Sequence, residues 1–587
     1  MTDTYRAGRA SFADVSDIDL FVATLEKFER GEMDSDAWRM FRLLNGVYGQ
    51  RQPDSQMLRI KAPQGILDEK QLRKLADVAE EFASGRGHVT TRQNIQMYDL
   101  KLERAEAAMS SLAEAGLTTK EACGNSIRNV TASPLAGVDP DEPFDVTPFA
   151  EAMTRYFIRG PLSSSLPRKF KIAFEGSHRD VTRGPINDIS FVAIGKKDNV
   201  PYFRVYAGGG TATLSRTGGL IASEVAAKDI LDLAEAIVRV YHREGERGNR
   251  AKARLKWLIK KIGWEPFHAK VLGEWEKIKE HDGAKLPFPQ EDAPVAEIIR
   301  HEAEPEVVVP IGYAAWKRTN VLQQKQEGLS SCFLTLHLGD ISPTQFRGLA
   351  DLVVRFSEGA LRTTVDQNLV VRHVANGSLT AFYKALVDLG FERPGVSTLS
   401  DVTSCAGAHT CALAVTASRG LGSSLGDHLL SKGIGLGEDK AIESASIRIS
   451  GCPNGCGQNH VASIGLQGGM RRVGGRPLPL YQISVGGGVV PTENGMPGTA
   501  RFGRLVGKVP AHRVNAAVDR IIEAFRNEKS ENETFDAYLA RVEVANVKKA
   551  IGDLFEIDEN TAKESDFIDL GQDVPFTIGA VEDDHMC

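Results

Sequence analysis

The feature that most restricts how this chain can fold is an internal repeat. A segment starting at Met57, MLRIKAPQGILDEKQLRKLADVAEEFASGRGHVTTRQNI, returns from Cys332 as CFLTLHLGDISPTQFRGLADLVVRFSEGALRTTVDQNLV. Gln71-Leu72-Arg73 falls on Gln345-Phe346-Arg347, and Leu75-Ala76-Asp77 on Leu349-Ala350-Asp351. Held without a gap, the offset also aligns Gly85 with Gly359 and Gln93-Asn94 with Gln367-Asn368. Each copy reads as strand, turn, amphipathic helix, strand, with Leu72, Leu75 and Val78 on one helix face. A second pair follows in the same order: NDISFVAI then YFRVYAGGG from Asn187, and NHVASIGL then YQISVGGG from Asn459. The chain is therefore a tandem duplication with two modules per half.

At 587 residues the chain exceeds what one core accommodates. Turn-rich stretches set the expected boundaries: small modules over 50–125 and 315–395, large modules over 126–300 and 396–540, and a weakly periodic tail over 541–587. Lys285–Pro310, rich in Pro and Glu, links the halves. The net charge of −6 argues against a nucleic-acid binder, so any anion site must come from locally gathered Arg and Lys. No stretch is apolar enough for a membrane span, and the amino terminus lacks a signal-peptide core, so the expected compartment is the cytoplasm.

Four of the seven cysteines fall in two close pairs. Cys405 and Cys411 lie in TSCAGAHTCALA, and Cys452 and Cys456 in SGCPNGCGQNH. Such a quartet fits either a structural zinc site or an iron–sulfur cluster. The wide first gap suits a cubane better than a zinc knuckle. Gly451, Gly455 and Gly457 would let backbone approach a bulky centre. His409 and His460 flank the pairs as extra ligands or as hydrogen-bonded neighbours. The first half has one cysteine, Cys123. Basic candidates there are Arg92 in TTRQ, Arg128 in CGNSIRNV, and Arg168, Lys169 and Lys171 in LPRKFKIAF. The K-x-K alternation reads as a strand projecting both lysines from one face.

The C-x5-C and C-x3-C pairs in a CPNGC context, together with the duplication, resemble the sirohaem-dependent sulfite and nitrite reductases over about residues 40 to 540. The resemblance implies an α+β fold with pseudo-twofold symmetry: two ferredoxin-like half-domains and two sirohaem/[4Fe–4S] half-domains. It implies that Cys405, Cys411, Cys452 and Cys456 ligate the cluster, with Cys456 also axial to the sirohaem iron. TTRQ, RNV and PRKFK look like the family's anion-binding segments, placing Arg92, Arg128, Lys169 and Lys171 over the distal haem face. Gln93, Asn94 and Arg168 would contact cofactor carboxylates, and Gly208–Gly210 with Gly486 and Gly487 would bring backbone N–H groups near. The second lysine of K-x-K is the family's sulfite pattern, so six-electron reduction of sulfite is expected, with nitrite reduction to ammonia as the rival. A non-catalytic four-cysteine zinc protein is the rival of another class. No nucleotide-binding glycine pattern follows a strand, so a ferredoxin or a separate flavoprotein is expected to donate electrons. Some relatives carry a covalent tyrosine–cysteine bond beside the sirohaem; Tyr48 and Cys123 could form it here, or Cys123 is simply a packed thiol.

Overall fold

The computed structural model describes residues 11–281, 283, 308–490 and 498–577. Most of the linker expected over Lys285–Pro310, and the terminal Cys587, lie outside the described residues.

Four five-stranded sheets form two matched pairs. The first half supplies β1 (Val47–Gly49), β2 (Gln56–Ile60), β3 (Ile66–Asp68), β4 (Gly87–Val89) and β5 (Ile95–Leu100). It continues with β6 (Thr131–Ala132), β7 (Ile172–Glu175), β8 (Ile189–Lys197), β9 (Val200–Ala207) and β10 (Gly219–Ala226). The second half repeats the series. Its small module carries β11 (Val321–Gln323), β12 (Leu329–Leu334), β13 (Asp340–Ile341), β14 (Ala360–Thr363) and β15 (Leu369–Ala375). Its large module carries β16 (Thr403–Ser404), β17 (Ile447–Ser450), β18 (Ile464–Val473), β19 (Arg476–Val485), the hairpin β20 (Gly488–Val490) and β21 (Thr499–Arg501), and β22 (Arg504–Pro510).

The small sheets are not self-contained. One runs β1-β2-β5-β4-β13 and the other β11-β12-β15-β14-β3, so each half lends one short strand to the other's sheet. The registers match under the repeat: Asp340 pairs with His88 and Ile341 with Gly87, while Ile66 pairs with Arg362 and Leu67 with Leu361. The helices Glu69–Phe82 and Pro343–Phe356, each with a capping box, bury Leu72, Leu75 and Val78, and Phe346, Leu349 and Val353, in one joint core. Across it run reciprocal ion pairs, Arg73–Asp351 at 2.6 Å and Arg347–Asp77 at 3.0 Å. These are exposed and worth at most about 1 kcal/mol each, so they fix register more than stability.

The large sheets share one mixed topology: β6-β7-β8 and β16-β17-β18 run parallel, and the remaining strands antiparallel. Each covers its own core, one around Phe170, Phe174 and Phe191, the other around Ile447, Ile449 and Ile464. The expected α+β architecture with pseudo-twofold duplication is thus present.

One expectation here needs correction. Lys169 and Lys171 are not in a strand: β7 begins at Ile172, and Phe170 makes only an isolated bridge to Ile127. Phe170 N–H donates to Ser126 O, while the Asp188 carboxylate, not a neighbouring strand, takes the Lys171 N–H. The described part of the expected tail, residues 541–577, is packed against the last large module. Helix Val544–Ile551 buries Val547 and Ile551 in the last core, and Asp569 accepts from Ala417 N–H at 2.6 Å, close to the cysteine loop.

Asp366 clamps modules together. It pairs with both Arg183 of the first half and Arg448 on β17. Burial alone would raise its pKa, but the two guanidiniums hold it well below the carboxylate range. Asp366→Asn leaves two largely buried cations without their counter-charge and is expected to destabilise the fold by about 3–5 kcal/mol in urea at pH 7. A loss under about 1 kcal/mol would remove the clamp. Leu67→Ala on the lent strand, at a fully buried site, is expected to cost about 2–5 kcal/mol. If the small modules unfold independently in that experiment, strand exchange does not join them.

Candidate functional site

The site lies where the first half's basic segments meet the second half's cysteine loops. Thr91, beside Arg92 in the β4–β5 turn, donates its hydroxyl to the Cys456 carbonyl at 3.0 Å. From the same half, Arg51 N–H donates to Thr410 at 2.9 Å, the Arg51 guanidinium to Ala414 O at 2.7 Å, and the Gln52 amide to His409 O at 2.6 Å. The β1–β2 connection therefore holds the first cysteine loop from outside.

Cys405, Cys452 and Cys456 lie near one another at the parallel end of the second large sheet. Cys405 follows β16, and its Sγ accepts from Gly451 N–H at 3.2 Å with Ser418 Oγ at 3.3 Å. Cys452 follows β17, and Cys411 follows the turn Gly407–His409, with its N–H on Gly407 O. Burial pushes the Cys452 thiol up to about 12, reinforced by Cys456 and Cys405; Cys405 is raised for the same two kinds of reason. Neighbouring thiolates repel one another, so buried cysteines ionise together only against a strong local positive charge, as the iron of a cluster would supply. Among the described residues no three His, Cys, Asp or Glu side chains converge as a single ion requires. A cubane spreads its ligands over a larger object, so this donor set fits a cluster better than zinc.

The glycines here serve the protein's own backbone. Gly455 has φ +65°, and a Cβ there would meet His460 Cε1 at 2.5 Å; one on Gly209 would meet Pro185 O at 2.1 Å. Gly208, Gly210 and Gly486 N–H groups are engaged by the carbonyls of Asp188, Arg216 and Ser463, so they do not face a cofactor as the sequence suggested. A Cβ on Gly487 would meet Ala462 O at 2.6 Å.

Facing the cysteines is a crowd of cations. Arg92 donates to Asn187 Oδ1 at 2.7 Å, to Ile172 O at 3.0 Å and to Asn129 O, while its Nε is buried with no partner. Burial, with Arg128 and Arg254 nearby, brings its pKa down to about 9. Lys171 is driven well below the lysine range by burial and by Arg254, Arg92 and Lys169. Arg128 reaches Ala122 O and Gly124 O, and with Arg168, Arg59 and Arg250 it lines a narrow cavity beside Tyr48 and Cys123. Tyr48 and Cys123 also share a small buried cluster with Leu43, Met57 and Tyr98.

Gln93 does other work. The Gln93 amide donates to Ala132 O and Thr363 O, and its oxygen accepts from Ala132 N–H, so it is a strut of the fold with no donor left for a carboxylate. Its repeat mate Gln367 donates to Val89 O in the same way. Asn94 Oδ1 accepts from Ala62 N–H, as Asn368 Oδ1 does from Leu336 N–H. His409 is tied to Gln572, whereas His460 packs on Gly455 with Nδ1 buried and unpartnered. Burial, then Lys256, brings His460 down to about 4.

Sequence reasoning missed Arg254 and Lys256. They sit at the start of helix Leu255–Ile262, where RLKW reads as an ordinary solvated helix end. Both are buried; Arg254 grips Asp188 at 2.7 Å, and burial lowers Lys256 to about 7.

No helix among the described residues is long and apolar enough to cross a membrane. The nitrite and sulphite reductase 4Fe-4S domain matches residues 123–279 and 395–558, and the nitrite/sulfite reductase ferredoxin-like half domain matches 48–115 and 322–389. A sulfite reductase [ferredoxin] of Mycobacterium tuberculosis is 28% identical, over 83% of this chain and 82% of that protein. The chloroplastic ferredoxin–nitrite reductase of Zea mays is 31% identical, over 74% and 73%. The solved structure of the Mycobacterium tuberculosis NirA protein superposes with a TM-score of 0.72 at 27% identity, covering 88% of this chain and 92% of that one. The duplicated fold, the cysteine quartet opposite a cationic pocket and these matches make the chain a member of the nitrite and sulfite reductase family, oxidoreductases that carry a sirohaem and a [4Fe–4S] cluster.

Proposed function

We propose that the chain reduces sulfite to sulfide by six electrons, with electrons from a ferredoxin and nitrite as a second substrate. The observation that carries this reading is the crowding of Arg92, Lys169 and Lys171, with Arg254 and Lys256, around one carboxylate, Asp188. Such an arrangement is favourable only with anions among the cations, and a carboxylate-rich macrocycle plus an oxyanion provide them. Cys405, Cys411, Cys452 and Cys456 would hold the cluster, and Cys456 would also serve the sirohaem. When bound, the two groups would supply a metal site for the oxyanion and the electrons for its reduction.

The chain's own residues do the rest. Arg92 and Arg128 present planar guanidiniums that hold oxyanion oxygens through paired hydrogen bonds. Lys169 and Lys171 neutralise the bound charge, and their Nζ atoms give protons to departing oxygens. A lysine whose proton is loosened by neighbouring cations is a better donor near neutral pH than an ordinary one. Arg168, Arg254 and Lys256 grip cofactor carboxylates. The ferredoxin assignment follows the names of the relatives, several of which are ferredoxin-dependent.

Sulfite near neutral pH carries more charge than nitrite, and a third oxygen, so it gains more from an additional lysine. One charge at ~4 Å and an effective dielectric of ~20 is worth about 4 kcal/mol before desolvation. Nitrite is the second reading, favoured by the 31% identity to the maize nitrite reductase.

Lys171→Asn is expected to lower kcat/KM for sulfite about tenfold or more, and for nitrite much less, in side-by-side assays with an artificial donor. Equal losses, or a wild type that prefers nitrite, overturn the sulfite assignment. Cys456→Ser is expected to abolish turnover and change the haem spectrum. Full activity with an unaltered spectrum removes Cys456 from that role, and a colourless protein containing zinc overturns the enzyme reading.

A further inference from the structure

Asp188 is fully buried, and its carboxylate joins two parts of the pocket. It accepts from Lys171 N–H at 2.9 Å, and from Arg254 Nε at 3.3 Å and Nη2 at 2.7 Å. Its carbonyl accepts from Gly208 N–H at 2.9 Å. The second half repeats this joint with a hydroxyl. Ser463 Oγ accepts from Ser446 N–H at 3.0 Å, and Ser463 O accepts from Gly486 N–H at 2.9 Å. There the polarity is reversed: Ser463 Oγ donates to Asp536 at 2.6 Å, and Asp536 meets Arg501 at 3.1 Å. The backbone joint thus needs no carboxylate, since a serine makes it. In the half that carries the cations, the carboxylate adds a grip on Arg254 and one negative charge.

We propose that Asp188 is a positioning residue for the anion pocket, pinning the Lys171 backbone and the Arg254 guanidinium so that both cations border the same space. This rests on reading that pocket as the oxyanion site. Lys171 is faced by Arg254, Arg92 and Lys169, and Asp188 is the carboxylate that opposes them for Lys171, Arg92 and Lys256 alike. Without its charge Lys171 stands among cations uncompensated and surrenders its proton at lower pH. Without Arg254 the opposite holds, because one of the repelling cations is gone while Asp188 remains. A side chain that merely filled space would not produce shifts of opposite sign.

The test uses cofactor-loaded wild type, Asp188→Asn, Asp188→Ser and Arg254→Met. Trace labelling with acetic anhydride across a pH series, read by peptide mass spectrometry, gives the titration midpoint of Lys171, with the exposed Lys197 as internal standard. The midpoint is expected to fall by about one pH unit or more in both Asp188 variants and to rise in Arg254→Met. The high-pH limb of kcat/KM for sulfite should move with it, while sirohaem absorbance per protein stays at the wild-type value in both Asp188 variants; for Arg254→Met the rates are taken per bound sirohaem. An unmoved Lys171 midpoint, or shifts of one sign in all three variants, overturns the proposal. Failure of both Asp188 variants to fold also contradicts it, because the serine variant copies a joint the second half already makes. Midpoints that shift while the kinetic limb stays fixed overturn the oxyanion reading of the pocket instead, leaving the Asp188–Lys171 coupling intact.

Discussion

Each small sheet of this protein is completed by a strand from the other half, and the site depends on that exchange. β3 pairs with β14 and β13 with β4, in registers related by the sequence repeat. A two- or three-residue strand has no stability of its own; it persists because Leu67 and Ile341 enter a core that both halves build. Once the halves are locked this way, the β4–β5 turn with Thr91 and Arg92 is brought against Cys456. The matching turn of the second half brings Asp366 against Arg183.

That pair of turns shows how duplication produces one working face rather than two. Arg92 and Asp366 occupy equivalent repeat positions, yet one contributes to a cationic pocket and the other closes an ion pair with Arg183 and Arg448. The loops after β7 and β17 diverge likewise. Where the second half places Cys452 after Ser450-Gly451, the first places Ser177 after Glu175-Gly176. The Glu175 carboxylate accepts from the N–H groups of Gly176, Ser177 and Thr182, whereas Ser450 Oγ accepts from Gly457 N–H. The first half fills with a carboxylate a loop whose counterpart presents thiols.

Much of this was legible in the sequence because long periodic segments announce themselves. The helices Glu69–Phe82 and Pro343–Phe356, the β8–β9 and β18–β19 hairpins, and the cysteine pairs all carry strong local patterns. What escaped was set by contacts distant in sequence. β13 is two residues long and has no period to read. Lys169 and Lys171 alternate like a strand, but the regular ladder begins only at Ile172, and the Lys171 N–H goes to the Asp188 carboxylate. Arg254 and Lys256 look like solvated helix-end residues until the fold buries them beside Asp188. Gln93 resembles a ligand-binding amide in sequence, yet its polar atoms serve the junction between halves. Buried polar residues are hydrogen-bonded to something, and sequence alone does not say whether that partner is protein or ligand.

The central claim is that one half supplies the cations and the other the thiolates of a single reaction centre. The most direct measurement is a crystal structure of the holoenzyme with sulfite bound. The account predicts the iron-bound oxyanion within hydrogen-bonding distance of Arg92, Arg128, Lys169 and Lys171, and the Cys456 sulfur on the opposite face of the macrocycle. An oxyanion held by residues of the second half, or an iron whose axial ligand is anything other than Cys456, would contradict it.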